Sequence, residues 1–530
     1  MKYKSKLTGA ALLTASLILA SCASDDNDSN PQPNPDGTII TELTDSVCDA
    51  LGQSAVEEFL DFAKNPRCSF YSIKSSAYLI EWAKKHDLEY GVDDSLNVWI
   101  DVPANTTGME SLPKVILQAH QDMVCDSKPG ETYDYRQEVG EPYYDGTKLK
   151  GRKLNLGADD GIGVGMALAI AKSNVAHGPL RLLFTTNEDC GLHGAMALLP
   201  TVIDADYLIS FDDEDYAKLT TGCLGGYAND MKKTYAVGQS ASGSKEITLE
   251  VTGLLGGHSG VMIGEHRLSG ATILAKIVKD VVTTNEGKLV SIGCGLAFNA
   301  IANKLKINFV VDAAKADACK AAIEKTLADF RAEYTEESFT QACTVADVPA
   351  ADAANVCPEQ TLADINKYFA ERTQGVVERE GTDGIVTKSN NIGVVTLDKG
   401  SLTITSLLRS YSNDWIHSEA TSIATLASTI GMAIDNEITL PAWDTADDDP
   451  FLNFAYNIYK ELEPKTFKRK AEGGLECAYF LQKMPTLKTI AIGPDIRGAH
   501  TCDEYLDTAT MKPLMKVVMS ILQKMESYGK

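Results

Sequence analysis

Three short apolar runs, each followed within a few residues by acids or histidine, constrain the fold of this chain more than any other feature. They occupy residues 115–117, 182–184 and 207–211, and a fourth run at 489–492 leads to His500. Runs of this length are typical of buried strands, and helical patterns separate them. We therefore expect an α/β sheet covered by helices, with a site at the carboxyl ends of its strands.

The pattern changes near residue 240, which indicates a second structural layer. Residues 246–252 and 304–311 alternate apolar and polar side chains, as half-exposed strands do, and a helical pattern follows each of them. A chain of 530 residues is also too long for one ordinary core. We predict a mixed, mostly parallel α/β catalytic domain in two segments, 41–240 and 436–530, with an α+β lid domain inserted at 241–435.

The N-terminus has the pattern of a targeting segment. Three lysines precede an apolar stretch at residues 7–20 that is too short to span a bilayer. The residues Leu-Ala-Ser before Cys22 resemble the bacterial lipoprotein processing site. We expect a signal peptide at 1–21, a lipid on Cys22 and a disordered tether at 22–40. The expected location is the bacterial cell envelope, as an outer-membrane lipoprotein that faces the periplasm or the outside.

Charge and cysteine content argue against three classes of function. The formal net charge of -24 argues against nucleic-acid binding and against electrostatic docking on anionic lipid, so the lipid anchor is the only expected membrane contact. None of the 12 cysteines forms a Cys-x-x-Cys motif, which argues against a zinc–thiolate site. We expect most of these cysteines to be isolated buried thiols, and the sequence leaves their disulfide status open.

Polar residues near the ends of the predicted strands form a candidate metal site. His120 and Asp122 are two residues apart, so an extended chain places them on the same side. Two imidazoles with several carboxylates and no thiolate suit a pair of divalent ions such as zinc, cobalt or manganese. Each position alone also has a plain explanation, such as a helix cap for Asp159 or an ordinary loop residue for Asp212 and His500. The set comprises His120, Asp122, Asp159, Glu188, Asp189, Asp212 and His500.

These residues lie in motifs that resemble the zinc aminoacylase/carboxypeptidase family of metallopeptidases, most closely its aminoacyl-histidine (Xaa-His) dipeptidase branch. The resemblance implies a zinc exopeptidase-like catalytic domain and two divalent metal ions, zinc in the first place with cobalt or manganese as alternatives. The family motifs are HQD at 120–122, GADDGIG at 157–163, NED at 187–189, GGHSG at 256–260 and GPDIRGAH at 493–500. The branch features are LGADDGIG at 156–163, GCLGG at 222–226, GLEC at 474–477 and IRGAHTCDE at 496–504.

The resemblance also assigns roles near the metals. It implies that Asp122 orients His120, and that Glu188 is the general base for a water that bridges the two ions. The resemblance further implies that one ion is held by His120, Asp159 and Asp212, and the other by Asp159, Asp189 and His500.

Four residues have implied roles toward the substrate. His258, in the lid domain, resembles the family residue that stabilises the tetrahedral oxyanion. Asn299 and Arg409 match positions that bind the substrate backbone or its carboxylate, and Glu476 matches a position near the substrate amino end. In the motif at 187–189 the chain departs from the usual acid-Glu-Glu, because Asn187 replaces an acid and Asp189 is one methylene shorter than Glu. This departure leaves the metal preference open.

The sequence supports three hypotheses about function. The first is a membrane-anchored two-metal dipeptidase that hydrolyses Xaa-His-like or other dipeptides. The second is an N-acyl amino-acid amidohydrolase or a carboxypeptidase of the same fold, which would not require a free amine on the substrate. The third is a surface lipoprotein that binds peptides without catalysis. The substrate side-chain preference stays open, as does the oligomeric state, for which a homodimer through the lid domain is one option.

Overall fold

The computed structural model of the chain describes residues 38–241, 243–348, 355–381 and 384–528. The predicted signal peptide, Cys22 and nearly all of the predicted tether lie outside these residues. One compact unit runs from Ile39 to Lys530. Among the described residues, no helix has both the length and the apolar character that crossing a bilayer requires.

Helices and strands follow one another along the described residues. The α-helices are α1 (Asp45–Phe62), α2 (Ile73–Lys85), α3 (Ala158–Lys172), α4 (His193–Ala197), α5 (Gly270–Ile277), α6 (Ala316–Glu333), α7 (Glu359–Glu371), α8 (Asn413–Thr429), α9 (Pro450–Leu462), α10 (Cys477–Lys483) and α11 (Met511–Lys524). The strands are β1 (Glu89–Val92), β2 (Val98–Val102), β3 (Val115–His120), β4 (Pro142–Asp145), β5 (Lys148–Gly151), β6 (Leu180–Thr185), β7 (Tyr207–Ser210), β8 (Lys218–Cys223), β9 (Gly225–Thr234), β10 (Gly238–Gln239), β11 (Lys245–Thr252), β12 (Lys288–Gly295), β13 (Leu305–Val311), β14 (Thr340–Asp347), β15 (Asn355–Val356), β16 (Gly375–Glu380), β17 (Ile385–Asp398), β18 (Ser401–Ser410), β19 (Ala433–Leu440), β20 (Trp443–Asp444), β21 (Phe467–Ala471), β22 (Lys488–Ala491), β23 (Ile496–Arg497) and β24 (Tyr505–Asp507).

The first large sheet positions the candidate site. Its strand order is β1-β2-β6-β3-β7-β22-β8-β20, with β21 beside β8. The central strands β6, β3, β7 and β22 are parallel to one another, whereas β1, β2 and β20 pair antiparallel at the two sides. The predicted mixed α/β sheet is therefore present. Parallel strands share one carboxyl edge, so the residues that follow β3, β6, β7 and β22 meet there.

Both faces of this sheet are covered by helices. On β3, Leu117 packs in a core with residues of α1, α3, α9 and α11, whereas the neighbouring Ile116 packs with residues of α4 and α10. This alternation is the one that an extended chain imposes. Each fully buried aliphatic side chain of this kind contributes about 1.5–3 kcal/mol to folding. The carboxyl edge of the sheet is therefore supported by a well-packed core on both faces.

The second large sheet is antiparallel and has the order β14-β11-β13-β12-β17-β18-β9-β19, with β16 beside β17. One core joins it to residues of α5, α6, α7 and α8. On β11, Ile247, Leu249 and Val251 are buried and alternate with more exposed residues, as the sequence pattern predicts.

The chain passes from the first sheet to the second at Leu224, between β8 and β9, and it returns between β19 and β20. Strand membership therefore places β9 with the inserted layer, although the predicted boundary at 240/241 assigned it to the first segment. The division into a two-segment catalytic domain and an inserted lid stays a prediction.

Candidate metal centre

Segments distant in sequence bring the predicted metal ligands to the carboxyl edge of the first sheet. His120 is the last residue of β3, Asp189 follows β6, and Asp212 follows β7. Asp159 lies in the first turn of α3, and His500 follows β23. The peptide bond between Asp159 and Asp160 is cis.

The Asp159 carboxylate lies between the two imidazoles. Its Oδ1 is 3.2 Å from Nε2 of His120, and its Oδ2 is 3.0 Å from Nε2 of His500. The same His500 nitrogen lies 2.7 Å from Oδ1 of Asp189, which is buried and has no partner in hydrogen-bond geometry among the described residues. One ring N–H cannot serve both carboxylates, so a cation between them would satisfy an otherwise unpaired oxygen.

Three groups of side chains have ligand atoms close enough to hold a metal ion. Within each group the ligand atoms lie within 4.8 Å of one another. Two of the groups are the sets that the family resemblance implies, and Asp159 is common to both. The third group contains Asp122 in place of a predicted ligand. The groups are His120–Asp159–Asp212, Asp159–Asp189–His500 and His120–Asp122–Asp189.

The charges of this cluster favour bound cations. Burial raises the pKa of Asp212, and the neighbouring carboxylates of Asp159 and Asp189 raise it further against the opposing effect of His120. The close carboxylates of Asp159 and Asp189 raise the pKa of His500 to about 11. Both pKa values are raised because several carboxylates lie close together in a buried space. Divalent cations would neutralise that charge, and the nitrogen and oxygen donors suit them.

Asp122 contacts both His120 and the Glu188 segment. Its Oδ1 lies 3.6 Å from Nδ1 of His120, which is longer than a hydrogen bond, and accepts a bond of 3.1 Å from the backbone N–H of Glu188. Its Oδ2 accepts a bond of 2.7 Å from the hydroxyl of Ser69. Asp122 therefore orients the backbone of Glu188 as well as facing the ring of His120.

Asn187 has a clear structural role at the position where the resemblance predicts an acid. Its backbone is left-handed, with φ of 56°, a conformation that Asn tolerates better than most residues. Its side-chain oxygen accepts a hydrogen bond from the backbone N–H of Phe70. Asp189, the last residue of this motif, is held by a bond of 2.8 Å from the N–H of Val124 to its Oδ2.

Glu188 is the remaining acid of the cluster. Burial raises its pKa well above the usual value, and the charge of Asp212 adds to this effect. It is absent from the three groups of candidate ligands. The charges of the candidate ligands therefore act on the Glu188 carboxylate, although Glu188 belongs to none of the three ligand groups.

Two residues that support the cluster were missed by the sequence analysis. Arg67 is buried and donates to the backbone oxygens of Asp122 and Gly157, which links two of the loops that carry ligands. Glu504 is buried and accepts hydrogen bonds from the N–H groups of Gly157, at 2.6 Å, and Asp159, at 3.2 Å. Glu504 lies inside the motif at 496–504, which was its only signal, and Arg67 lies in no motif.

Gly157 is required by this packing. Its φ is 65°, and a Cβ atom there would lie 2.4 Å from Nη2 of Arg67. A side chain would therefore collide with the guanidinium as well as strain the backbone.

His258 and Asn299 lie in loops beside the second sheet, and Arg409 lies in its strand β18. Nδ1 of His258 accepts from the N–H groups of Gly260 and Val261, each at 3.3 Å, so the neutral ring carries its hydrogen on Nε2. Burial and the nearby charge of Arg409 lower the pKa of His258. The backbone oxygen of Asn299 accepts from the N–H of Ser259 at 2.9 Å. His258 is therefore a neutral donor.

Arg409 is a buried cation. It is 7% exposed, and its Nε has no hydrogen-bond partner among the described residues. Burial lowers its pKa to about 10, still above neutral pH, so the group remains charged.

Glu476 lies below the carboxyl edge rather than on an open surface. It is 1% exposed, and its Oε2 accepts from Gln118, at 2.7 Å, and from the hydroxyl of Thr185. Burial raises its pKa to about 7. Its contact with a substrate amine stays a prediction.

Comparisons with known proteins agree with this geometry. The family model described as peptidase family M20/M25/M40 matches residues 116–524. The cytosol non-specific dipeptidase of Escherichia coli (strain K12) is 29% identical over 474 residues, which are 88% of this chain and 96% of the relative. The crystal structure of the aminoacylhistidine dipeptidase from Vibrio alginolyticus has the same fold, with a TM-score of 0.78 at 24% identity, and the match covers 94% of this chain and 98% of that one.

The comparisons contradict the predicted location. The Escherichia coli relative is named as a cytosol enzyme, and the match covers nearly the whole length of that relative. The prediction of a lipid-anchored lipoprotein of the cell envelope is corrected accordingly. The processing motif on which it depended, with Cys22, lies outside the described residues.

The family match spans the ligand-bearing strands and loops from β3 to His500. The resemblance to metallopeptidases and the predicted fold class are both confirmed. The chain therefore belongs to peptidase family M20/M25/M40 and is a metal-dependent peptide hydrolase.

Proposed function

We propose that the protein is a dipeptidase with two divalent cations, acting on Xaa-His or other dipeptides. The observation that carries the proposal is the Asp159 carboxylate, whose two oxygens face Nε2 of His120 and Nε2 of His500 at 3.2 and 3.0 Å. A carboxylate shared in this way suits two metal ions about 3.5–4 Å apart. The names of the Escherichia coli and Vibrio alginolyticus proteins support a dipeptide substrate.

The ligands divide into two sets that share Asp159. His120 and Asp212 complete one set, and Asp189 and His500 complete the other. When bound, two divalent cations would polarise the scissile carbonyl and lower the pKa of the attacking water. The shorter side chain of Asp189 is held by Val124 and so keeps a defined position in its set.

Glu188 is the proposed general base. Its backbone is fixed by Asp122, and it does not belong to the candidate sets. The charges of Asp212, His120 and Asp189 act on its carboxylate. In this role it takes a proton from the attacking water and passes it to the leaving amine. Burial raises its pKa, the neighbouring carboxylates add to this effect, and cations bound beside it would offset those negative charges.

Residues in and beside the second sheet supply hydrogen-bond donors for the substrate and the transition state. Arg409 is a buried guanidinium with an unused donor, which suits the α-carboxylate of a dipeptide. His258 carries its hydrogen on Nε2 and can donate to the oxyanion that forms from the scissile carbonyl. Asn299 lies beside His258 and is the proposed contact for the substrate backbone.

His258→Ala is expected to lower kcat by about 10²–10³-fold and to leave KM nearly unchanged. The donor acts on charge that develops in the transition state, so its loss affects the chemical step. Steady-state kinetics on a cleaved dipeptide measures both constants. The matched control is His266→Ala, because this exposed ring in the same segment stacks on Tyr334 with centroids 4.3 Å apart. A change confined to KM would assign His258 to substrate binding instead.

A substrate panel tests the proposed function. The metal-free protein is reloaded with zinc, cobalt or manganese and assayed with β-alanyl-histidine, other dipeptides, tripeptides and N-acetyl amino acids. We expect cleavage of dipeptides with a free amine, and no cleavage after chelation. Cleavage of N-acetyl amino acids would favour an amidohydrolase, and removal of C-terminal residues from tripeptides would favour a carboxypeptidase. Peptide binding without any hydrolysis would indicate an inactive peptide-binding protein.

A further inference from the structure

A disulfide bond lies beside the metal centre and has no role in the chemistry proposed above. It joins Cys68 to Cys125, 57 residues apart in sequence, with a Cα–Cα distance of 5.6 Å. Cys68 lies in the loop after α1, and Cys125 lies in the loop after β3. Among the described residues it is the only disulfide, since the other cysteines there are free.

Backbone hydrogen bonds beside the disulfide align the two loops. The N–H of Met123 donates to the oxygen of Arg67 at 3.1 Å, and the N–H of Ser69 donates to the oxygen of Met123 at 3.1 Å. These pairs form an isolated parallel bridge between Cys68 and Met123. The disulfide thus joins two loops that, among the described residues, are otherwise paired only by this isolated bridge, outside the two large sheets.

Each of the joined loops holds a carboxylate of the cluster. From the first loop, Ser69 donates to Oδ2 of Asp122 at 2.7 Å, and Arg67 donates to the backbone oxygen of Asp122 at 3.2 Å. From the second loop, the N–H of Val124 donates to Oδ2 of Asp189 at 2.8 Å. The disulfide is therefore one residue away from a group that fixes Asp122 and from one that fixes Asp189.

The carboxylates need such support because they repel one another. The cluster crowds several acids into a buried space, and single hydrogen bonds from irregular loops constrain them weakly. We propose that the Cys68–Cys125 disulfide is a positioning element that keeps Asp122 and Asp189 at the spacing for two cations. This inference rests on the proposed two-metal function. The disulfide would then determine the cation affinity, in particular at the set that contains Asp189 and His500.

The test compares the wild-type protein with the double variant C68S/C125S and with the control C319S. Cys319 is a buried free thiol of α6, in the core of the second sheet, so C319S reports the effect of losing a buried sulfur alone. Each metal-free protein is titrated with zinc by calorimetry and with cobalt by visible absorption. We expect one cation to bind the double variant about 10–100-fold more weakly, with an altered cobalt spectrum. C319S should match the wild-type protein.

Hydrogen exchange gives a second readout that needs no metal. The amides of Val124 and Glu188 donate to Asp189 and Asp122, so their exchange in the metal-free protein reports the position of those carboxylates. We expect faster exchange of both amides in the double variant. If the double variant fails to fold, wild-type protein reduced by a phosphine provides the comparison. The phosphine gives two electrons to the disulfide and water supplies the oxygen of the phosphine oxide, which leaves two thiols.

The outcomes separate this inference from the function on which it rests. A double variant that melts at a lower temperature but keeps wild-type cation affinities and amide exchange would show a merely structural cross-link and overturn the inference. Wild-type protein that binds fewer than two cations would overturn the two-metal function. In that case the exchange of Val124 and Glu188 still decides whether the disulfide positions the carboxylates.

Discussion

Glu188→Gln is expected to lower kcat by about 10²–10⁴-fold while both cations still bind. The substitution keeps the size of the side chain and the backbone N–H bond to Asp122, but an amide cannot accept the proton of the attacking water. Glu188 is also absent from the three groups of candidate ligands, so the cation sites keep their donors. The measurement pairs kcat on a cleaved dipeptide with the metal content of the same preparation.

A matched control separates this effect from a general loss of charge. Glu250→Gln changes the same functional group on the exposed side of β11, where Glu250 lies 3.5 Å from Lys306, and it should leave kcat unchanged. A Glu188→Gln protein that keeps kcat within tenfold of wild type would show that another group accepts the proton. A protein that loses its cations would instead place Glu188 among the ligands.

The four parallel strands of the first sheet could be predicted from sequence because they are buried on both faces. Continuous apolar runs mark β3, β6, β7 and β22, and all four occur where the sequence placed them. By contrast, β9 and β17 were missed. Asn229 in β9 and Asn390 and Asn391 in β17 are buried polar residues that find hydrogen bonds only in the folded sheet. Such tertiary contacts leave no periodic signal in sequence.

The candidate site was predictable to the extent that its ligands follow strand ends. His120 and Asp122 do lie on the same side, with the ring nitrogen and carboxylate 3.6 Å apart. The supporting contacts were not predictable, because Arg67 and Glu504 bind backbone atoms, and any sequence offers those. The disulfide was likewise invisible, since Cys68 and Cys125 become neighbours only when the loops after α1 and β3 meet.

Asp159→Asn is expected to have a still larger effect, because one residue serves both ligand sets. A carboxylate offers an anionic oxygen to each side, whereas an amide offers one neutral oxygen and an NH₂ group that repels a cation. We expect cation affinity to fall more than about 100-fold. This loss exceeds the loss of about 10–100-fold in affinity that is typical when a residue that only hydrogen-bonds to a metal ligand is removed. Activity should fall by at least about 10³-fold, since the several kcal/mol supplied by the metals are lost. Calorimetric titration of the metal-free variant measures the first effect and kcat the second.

The neighbouring Asp160 provides the control for this prediction. It is also buried, but its Oδ1 accepts from the N–H of Gly163 at 3.2 Å inside α3, and burial raises its pKa well above the usual value. Asp160→Asn keeps the size of the side chain and an oxygen that can accept the bond from Gly163. We expect this variant to bind two cations. If Asp159→Asn also binds two cations with wild-type affinity, Asp159 does not bridge them, and the observation that carries the proposed function fails.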